Sequence, residues 1–169
     1  MKAPLAGLVA AFTFSLLVSG CASAGSALAL APVGPEAQGR PWPGPDGYLE
    51  VFSATRTVDV DFRAYFNPHT DYEIRDTSGK RVRFVPNHAS NMDESPDQVT
   101  LPPGNYNVVA QSAWCGLVTV PVTIQQGKTT VVHLDGNYWH PPAASANQLV
   151  YLPNGEAVGW SVSSPASAK

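Results

Sequence analysis

The sequence is poor in charged residues. Lysine and arginine together number 10 and aspartate and glutamate 13 among 169 residues, which is 14% of the chain, with a net charge of −3. Soluble domains usually carry about 25% charged residues. A protein that binds nucleic acid through its phosphates needs a basic face. The charge balance therefore argues against a nucleic-acid partner.

Cysteine and helical periodicity are also scarce. Two cysteines cannot build a disulfide-dense scaffold. No segment repeats apolar residues at a convincing helical spacing. The chain is instead rich in proline (16) and glycine (14), which interrupt helices and favour turns. We therefore expect short elements joined by frequent turns.

An apolar run long enough to form a stable membrane span is missing as well. Residues 5–18 form a largely apolar run of 14 residues that contains no charge. As a helix the run would reach about 21 Å, less than the hydrocarbon core of about 30 Å. Lys2 precedes this run, as the positive region does in a secretory signal peptide. A sorting signal is the better interpretation.

The sequence Val-Ser-Gly-Cys at 18–21 resembles the lipobox of bacterial lipoproteins. The resemblance implies that the thiol of Cys21 receives a diacylglycerol and that a peptidase cuts just before this residue. The new amino group is then acylated, typically with palmitate. One acyl chain anchors a protein marginally, whereas two or three anchor it stably. Residues 1–20 are thus expected to be a lipoprotein signal peptide, with Cys21 as the lipidation site.

The same resemblance suggests a location. Ala22 stands where an aspartate would favour inner-membrane retention in enteric bacteria, so a lipid-anchored protein of the bacterial cell envelope, with the outer membrane favoured, is expected. The alternative is an ordinary cleaved signal with its small-residue site at 22–24. If Cys21 is acylated, Cys115 has no partner within the chain. We then expect Cys115 to be a small apolar packing residue.

Composition divides the mature chain into three parts. Residues 21–46 are rich in alanine, glycine, serine and proline without periodicity, which indicates a flexible tether. Residues 47–136 alternate apolar and polar side chains, which predicts a β-domain. Residues 137–169 form a C-terminal extension. We expect it to contain a hairpin with its turn at Asn154-Gly155 and a frayed end over residues 161–169.

About seven short strands are predicted within residues 47–136. Each is recognised by period-two alternation or by a flanking turn, and the segments are 48–54, 58–66, 72–75 with 82–85, 99–110 on both sides of a Pro-Pro-Gly turn, 117–124 and 129–134. In the last segment Val132 and Leu134 point inward and His133 outward. This count and spacing predict an all-β fold, a single antiparallel β-sandwich.

Three motifs carry a resemblance to a known family. They are Tyr-x-Ile-x-Asp-x-x-Gly-Lys at 72–80, Val-x-Leu-Pro-Pro-Gly-x-Tyr-x-Val at 99–108 and Val-Pro-Val-x-Ile-x-x-Gly-Lys-Thr-Thr-Val at 120–131. Together they resemble carboxypeptidase-regulatory-like domains, which have a transthyretin-like, Ig-like sandwich. Such domains are usually non-catalytic accessory or binding modules. The motifs consist of turn and core residues, so they imply a fold and place no catalytic residue.

Potential metal ligands fall into two groups without a recognised ligand spacing, His69 with Asp71, and His88 with Asp93, Glu94 and Asp97. We expect these side chains to be solvated or to brace loops, although the acidic loop 93–97 could hold Ca²⁺ weakly. The chain has no Gly-x-Ser-x-Gly elbow, no Cys-His arrangement around Cys115 and no phosphate-binding loop. We therefore predict no catalytic residue, no cofactor and no metal site, and no enzymatic activity.

Aromatic residues offer an alternative function. Tyr65, Phe66, Tyr138, Trp139 and Trp160 could stack on a sugar. A small sandwich also needs aromatic residues in its core, and this is the role we expect for them and for Trp114. Trp42 is expected to dock on the domain.

The sequence thus predicts a lipid-anchored envelope protein whose non-catalytic β-sandwich is a structural or protein-binding module. Its expected partners are the membrane, envelope proteins or glycans. A surface carbohydrate-binding module is the alternative. A weak metal-binding protein or metal-dependent enzyme is the second alternative.

Overall fold

The computed structural model describes residues 30–36, 41–60, 64–136, 139–141 and 147–162. The predicted signal peptide, Cys21 and residues 163–169 of the end predicted to be frayed from Ser161 lie outside the described residues, whereas Ser161 belongs to a strand. Within the described ranges the fold is all-β and contains no α-helix. The same ranges hold no helix with the length and apolar surface that a membrane crossing requires.

Twelve strands are formed by the described residues. Their bounds are β1 (Val33–Gly34), β2 (Gly47–Phe52), β3 (Val58–Val60), β4 (Ala64–Phe66), β5 (Tyr72–Asp76), β6 (Arg81–Val85), β7 (Gln98–Leu101), β8 (Gly104–Ser112), β9 (Gly116–Ile124), β10 (Thr129–His133), β11 (Leu149–Tyr151) and β12 (Ala157–Ser161).

The strands form one large sheet and two small ones. The seven-stranded sheet has the order β11-β12-β1-β9-β8-β5-β6, the three-stranded sheet β10-β2-β7, and β3 pairs with β4. One buried cluster contains residues of both larger sheets, including Val108 and Val120 from the first and Leu49, Val51 and Val132 from the second. The two larger sheets therefore share one core, as in a β-sandwich.

Period-two alternation places side chains as predicted along the long strands. In β10, Val132 is buried and its neighbours Val131 and His133 are only partly buried, with Leu134 buried immediately after the strand. The same alternation is seen along β2 and β9. Apolar residues on one face of each strand pack in the core because this removes their surface from water.

Two details of the predicted sandwich are corrected by the pairing. The sheets are mixed rather than purely antiparallel, because β1 runs parallel to β9 and β10 runs parallel to β2. Residues 58–66 do not form one strand. They form the two short strands β3 and β4, which pair antiparallel as a separate two-stranded sheet with Asp59 opposite Tyr65.

The segment predicted as a tether over 21–46 contributes a strand to the domain. Val33 in β1 pairs with Val122 of β9 on one side and with Ser161 of β12 on the other, and it is fully buried. Gly159 in β12 allows this close approach, because a Cβ atom there would lie 2.5 Å from Cγ1 of Val33. The tether prediction is therefore corrected for this part of the segment.

The C-terminal hairpin is present and extends the large sheet. Strands β11 and β12 pair antiparallel across a turn that contains Asn154 and Gly155, and Gly155 has a φ of +86°. Such a backbone conformation favours glycine. The hairpin reaches the rest of its sheet through β1, since β1 lies between β12 and β9.

Replacing Val33 with alanine tests the importance of β1. The change removes two methyl groups from a fully buried site, so we expect the free energy of unfolding to fall by about 2 kcal/mol in urea denaturation. Val82→Ala is the matched control, because Val82 lies on the edge strand β6 and is 50% exposed. Its expected effect is below about 0.5 kcal/mol. Equal losses in the two variants would contradict the role assigned to β1.

Candidate functional site

Three of the four tryptophans of the chain line one cleft. It lies between the outward face of β10 and the neighbouring parts of β1 and β12, and it has a volume of about 360 Å³. We call it the three-tryptophan cleft. Its lining residues are Pro35, Glu36, Trp42, Lys128, Thr129, Val131, His133, Trp139 and Trp160.

Strand β10 supplies the floor of the cleft. Thr129, Val131 and His133 alternate with buried residues, so all three side chains lie on the face of β10 that points away from the core. An isolated antiparallel bridge between Pro35 and Thr130 brings the chain after β1 against this strand. Glu36 therefore reaches the same cleft from the N-terminal part of the chain.

The backbone of Trp42 holds this residue at the cleft. Its N–H donates a hydrogen bond to the carbonyl of Gly127, and the N–H of Gly127 donates to the carbonyl of Asp46 at 2.8 Å. Gly127 has a φ of +66°, and a Cβ atom there would lie 2.7 Å from the carbonyl oxygen of Trp42. The proline-rich segment thus docks on the β9–β10 turn, as expected for Trp42, while its ring stays 51% exposed.

A stack of aromatic rings supports Trp139. The rings of Phe52 and His133 are nearly parallel, with centroids 4.9 Å apart, and the rings of His133 and Trp139 are nearly parallel at 4.3 Å. Trp160 meets Trp139 edge to face at 6.0 Å. Stacked and edge-to-face contacts are both favourable arrangements of aromatic rings. Trp139 and Trp160, for which a core position was expected and a ligand face was the alternative, are therefore in contact with each other, and the stack supports Trp139.

Burial keeps the middle ring of this stack uncharged at neutral pH. Desolvation lowers the pKa of His133 from 6.5 to about 4. Removing an imidazolium from water is unfavourable, so the neutral form is preferred in the folded protein. The cleft wall near His133 is accordingly apolar and aromatic.

Charges of both signs stand at the cleft. Glu36 is exposed and Lys128 half-buried, and within the described residues neither forms an ion pair. A carboxylate accepts hydrogen bonds and an ammonium donates them, and the hydroxyl of Thr129 does both. The cleft thus combines aromatic surface with donors and acceptors.

The other aromatic residues considered for a ligand face lie elsewhere. Tyr65 and Phe66 are on β4, outside the cleft, and Tyr138 is outside the described residues. The core position expected for Tyr65 is wrong, because its side chain is 68% exposed. Trp114 is a correction, because it was expected in the core and is 66% exposed on the turn between β8 and β9. Sequence reasoning also missed Pro35 and Glu36, since the two-residue strand β1 shows no periodicity.

The histidines of the two predicted ligand groups brace loops. His69 is buried, and its Nδ1–H donates to the carbonyl of Ser53 at 2.6 Å. Nδ1 of His88 lies 3.1 Å from the carbonyl of His69, and Arg56 contacts the other ring nitrogen of His88 at 3.3 Å. The two histidines thus join the loops that follow β2, β4 and β6.

The acidic loop 93–97 is organised by its own backbone. The carboxylate of Asp93 accepts hydrogen bonds from the N–H groups of Ser95 and Ala89, and these bonds lower its pKa. Glu94 accepts from the N–H of Asn67 at 2.6 Å. In the described part of the chain, no group of three or more His, Cys, Asp or Glu residues is placed to hold a metal ion.

Two carboxyl groups near the end of β10 are perturbed by burial. Desolvation raises the pKa values of Asp135 and Glu156, and for Glu156 the neighbouring charge of Asp135 adds to the effect. Oε1 of Glu156 accepts a hydrogen bond from the N–H of Gly136 at 3.2 Å. Glu156 therefore fastens the C-terminal hairpin to the residues after β10, and its burial beside Asp135 makes its charge unfavourable at neutral pH.

Cys115 is disulfide-bonded in the structure. The chain has one other cysteine, Cys21, which lies outside the described residues. The expectation that Cys115 is an unpaired packing residue is therefore corrected, although the residue does pack against the core.

Comparison with known proteins identifies no relative. No protein-family model, curated protein or solved structure matches the chain.

His133→Phe tests the neutral state of the aromatic stack. Between pH 6.5 and about 4 the unfolded chain binds a proton at His133 that the folded chain does not, so this group makes the free energy of unfolding fall as pH falls. The phenylalanine variant keeps a stacked ring, and we expect a shallower decline in urea denaturation at pH 7, 5.5 and 4.5. His140→Phe leaves His133 in place and should retain the wild-type decline. If the free energy of unfolding of His133→Phe depends on pH as strongly as that of the wild type, His133 is not kept uncharged by folding.

Glu156→Gln tests the buried carboxyl pair. A carboxyl group whose pKa is raised by folding makes the protein less stable as pH rises through that range. The amide keeps an acceptor for Gly136 and carries no charge, so we expect higher stability than wild type at pH 7. The gain should shrink as the pH falls, because the raised pKa of Glu156 means that this carboxyl takes up its proton earlier in the folded protein than in the unfolded chain. A loss of stability at pH 7 would mean that the charge of Glu156 is favourable.

Proposed function

We propose that this chain is a lipid-anchored protein of the bacterial cell envelope, located at the outer membrane, with a non-catalytic β-sandwich that serves as a binding module. The observation that carries the binding role is the three-tryptophan cleft, where exposed aromatic surface is held rigid instead of being packed in the core. The anchor rests on the lipobox at 18–21. Envelope proteins or glycans are the proposed partners.

The short path from Cys21 to the domain supports a position close to the membrane. Strand β1 begins at Val33, so 11 residues, 22–32, separate it from the proposed lipidation site. Fully extended, they reach about 36–40 Å at most. Because β1 is part of the large sheet, the anchor and the domain are joined by this short linker rather than by the whole of 21–46.

The positions of the three sequence motifs in the fold support a sandwich of the transthyretin-like type. Gly79 and Gly127 lie in turns and have positive φ values, as these motifs require. The hydroxyl of Tyr106 donates to the carbonyl of Pro102 at 3.0 Å across the Pro-Pro-Gly turn. The motif residues thus act as turn and core elements, which is the role that the family resemblance implies.

The non-catalytic assignment is supported by the contacts of the candidate ligands. The ring nitrogens of His88 contact the carbonyl of His69 and the guanidinium of Arg56, and the carboxylate of Asp93 is occupied by backbone N–H groups. Measurement of metal in the purified protein, and of melting with and without a chelator, tests the metal-dependent alternative. Stoichiometric metal with chelator-sensitive melting would favour it.

The disulfide of Cys115 competes with this proposal, because Cys21 is the one other cysteine of the chain and its sulfur cannot carry both a lipid thioether and a disulfide. The proposal therefore requires Cys115 to be a thiol in the mature, lipidated protein. The two states differ in intact mass and in their response to reductant. A peptide joining Cys21 to Cys115 by a reducible bond in the mature protein would overturn the anchor proposal. A diacylglycerol thioether on an N-terminal Cys21 would support it.

Cys21→Ala is the direct test of the anchor. We expect this variant to incorporate no labelled palmitate in cells, because it lacks the thiol that accepts the lipid, and to be lost from the membrane fraction once its signal is removed. Cys115→Ala is the matched control, and it should label and fractionate as the wild type does. Equal labelling of wild type and Cys21→Ala would refute lipidation at this residue.

A further inference from the structure

We propose that the three-tryptophan cleft binds an uncharged glycan chain by stacking pyranose rings on its tryptophans. The proposal rests on the binding role proposed above and is independent of the lipid anchor. It names the class of ligand for that site.

The aromatic surface of the cleft suits a sugar ring. Trp42 is 51% exposed, and its contact with Tyr48 is tilted, at 5.9 Å and 56°. Trp139 and Trp160 are half-buried, in contact with each other, and both line the cleft. A pyranose has an apolar face of C–H groups, which packs on the face of an aromatic ring in the same way as other apolar surface.

The polar groups of the cleft suit the rim of such a ring. Pyranose hydroxyls both donate and accept hydrogen bonds. Glu36 accepts, Lys128 donates and Thr129 does both, and all three line the same 360 Å³ space as the tryptophans. The charges of Glu36 and Lys128 offset each other, so the cleft favours a ligand without net charge.

The aromatic walls are fixed before a ligand arrives. The backbone of Trp42 is hydrogen-bonded to the β9–β10 turn, and Trp139 is stacked on His133, which is stacked on Phe52. Side chains that are already ordered lose little conformational entropy on binding. A preformed cleft of this kind is typical of small-ligand sites.

A proline-rich peptide is the competing ligand, because aromatic grooves also bind polyproline helices. Such a peptide has no hydroxyl rim and lacks N–H donors at its prolines. It would leave the carboxylate of Glu36 without a partner in the cleft. The combination of acidic, basic and hydroxyl groups beside the rings therefore favours the sugar.

Titration of the mature full-length protein tests the proposal. The protein is purified in a detergent without a sugar headgroup, and tryptophan fluorescence and calorimetry follow the addition of cellohexaose, chitohexaose, an oligogalacturonate and decaproline. We expect saturable binding of at least one neutral hexasaccharide, with a fluorescence change. Binding of the oligogalacturonate should be weaker. Binding of decaproline instead of the sugars would overturn the glycan proposal and assign the cleft to peptides.

Variants locate the binding. Trp42→Ala removes an exposed ring whose backbone stays fixed, so we expect about a tenfold weaker affinity for the hexasaccharide with unchanged folding by circular dichroism. Glu36→Gln should weaken binding by a smaller factor. Trp114→Ala is the matched control, because Trp114 is an exposed tryptophan outside the cleft, and it should bind as wild type does.

The outcomes separate this proposal from the anchor. Failure of the wild-type protein to bind any neutral hexasaccharide at millimolar concentration would overturn the glycan proposal, and so would unchanged affinity in Trp42→Ala. Neither result bears on palmitate labelling of Cys21. Conversely, an unlabelled protein that binds sugar would overturn the anchor and leave the cleft assignment in place.

Discussion

The burial of Val33 between β9 and β12 is the contact on which the rest of the molecule depends. Two residues of β1 join the C-terminal hairpin to the large sheet, with parallel pairing on one side and antiparallel pairing on the other. Gly159 must lack a Cβ atom for the strands to approach this closely. A short strand can hold this place because its apolar side chain is fully removed from water.

The cleft is a consequence of that contact. Its walls come from both ends of the chain, with Glu36 and Trp42 following β1 and Trp139 and Trp160 following β10. Residues more than 100 positions apart along the chain become neighbours only because β1 lies beside β12 and close to β10. The proposed anchor and the proposed binding site are therefore linked mechanically, since the segment that leads from Cys21 also completes the cleft.

Sequence patterns were informative where one strand or one turn is sufficient. Alternation placed Val132 and Leu134 inward and His133 outward, and Asn154-Gly155 marked the turn of the last hairpin. Sequence patterns were uninformative where a strand pairs with a partner that is far away along the chain. The strand β1 is too short for periodicity, and the burial of Trp114 depends on whether another segment covers it. Trp114 was placed in the core from its chemistry alone, and no described segment covers it enough to bury it.

The amino-acid sequence by itself determined the all-β class, the positions of the hairpin turns and the lipobox-like segment, because these depend on local backbone preference and on side chains within a few residues. The tertiary structure alone decided the parallel partners of β1 and β10 and the assembly of Trp42, Trp139 and Trp160 into one cleft. Those features depend on which apolar faces meet across the core. That choice is made by the free energy of burial over the whole chain, and no short window of sequence contains it.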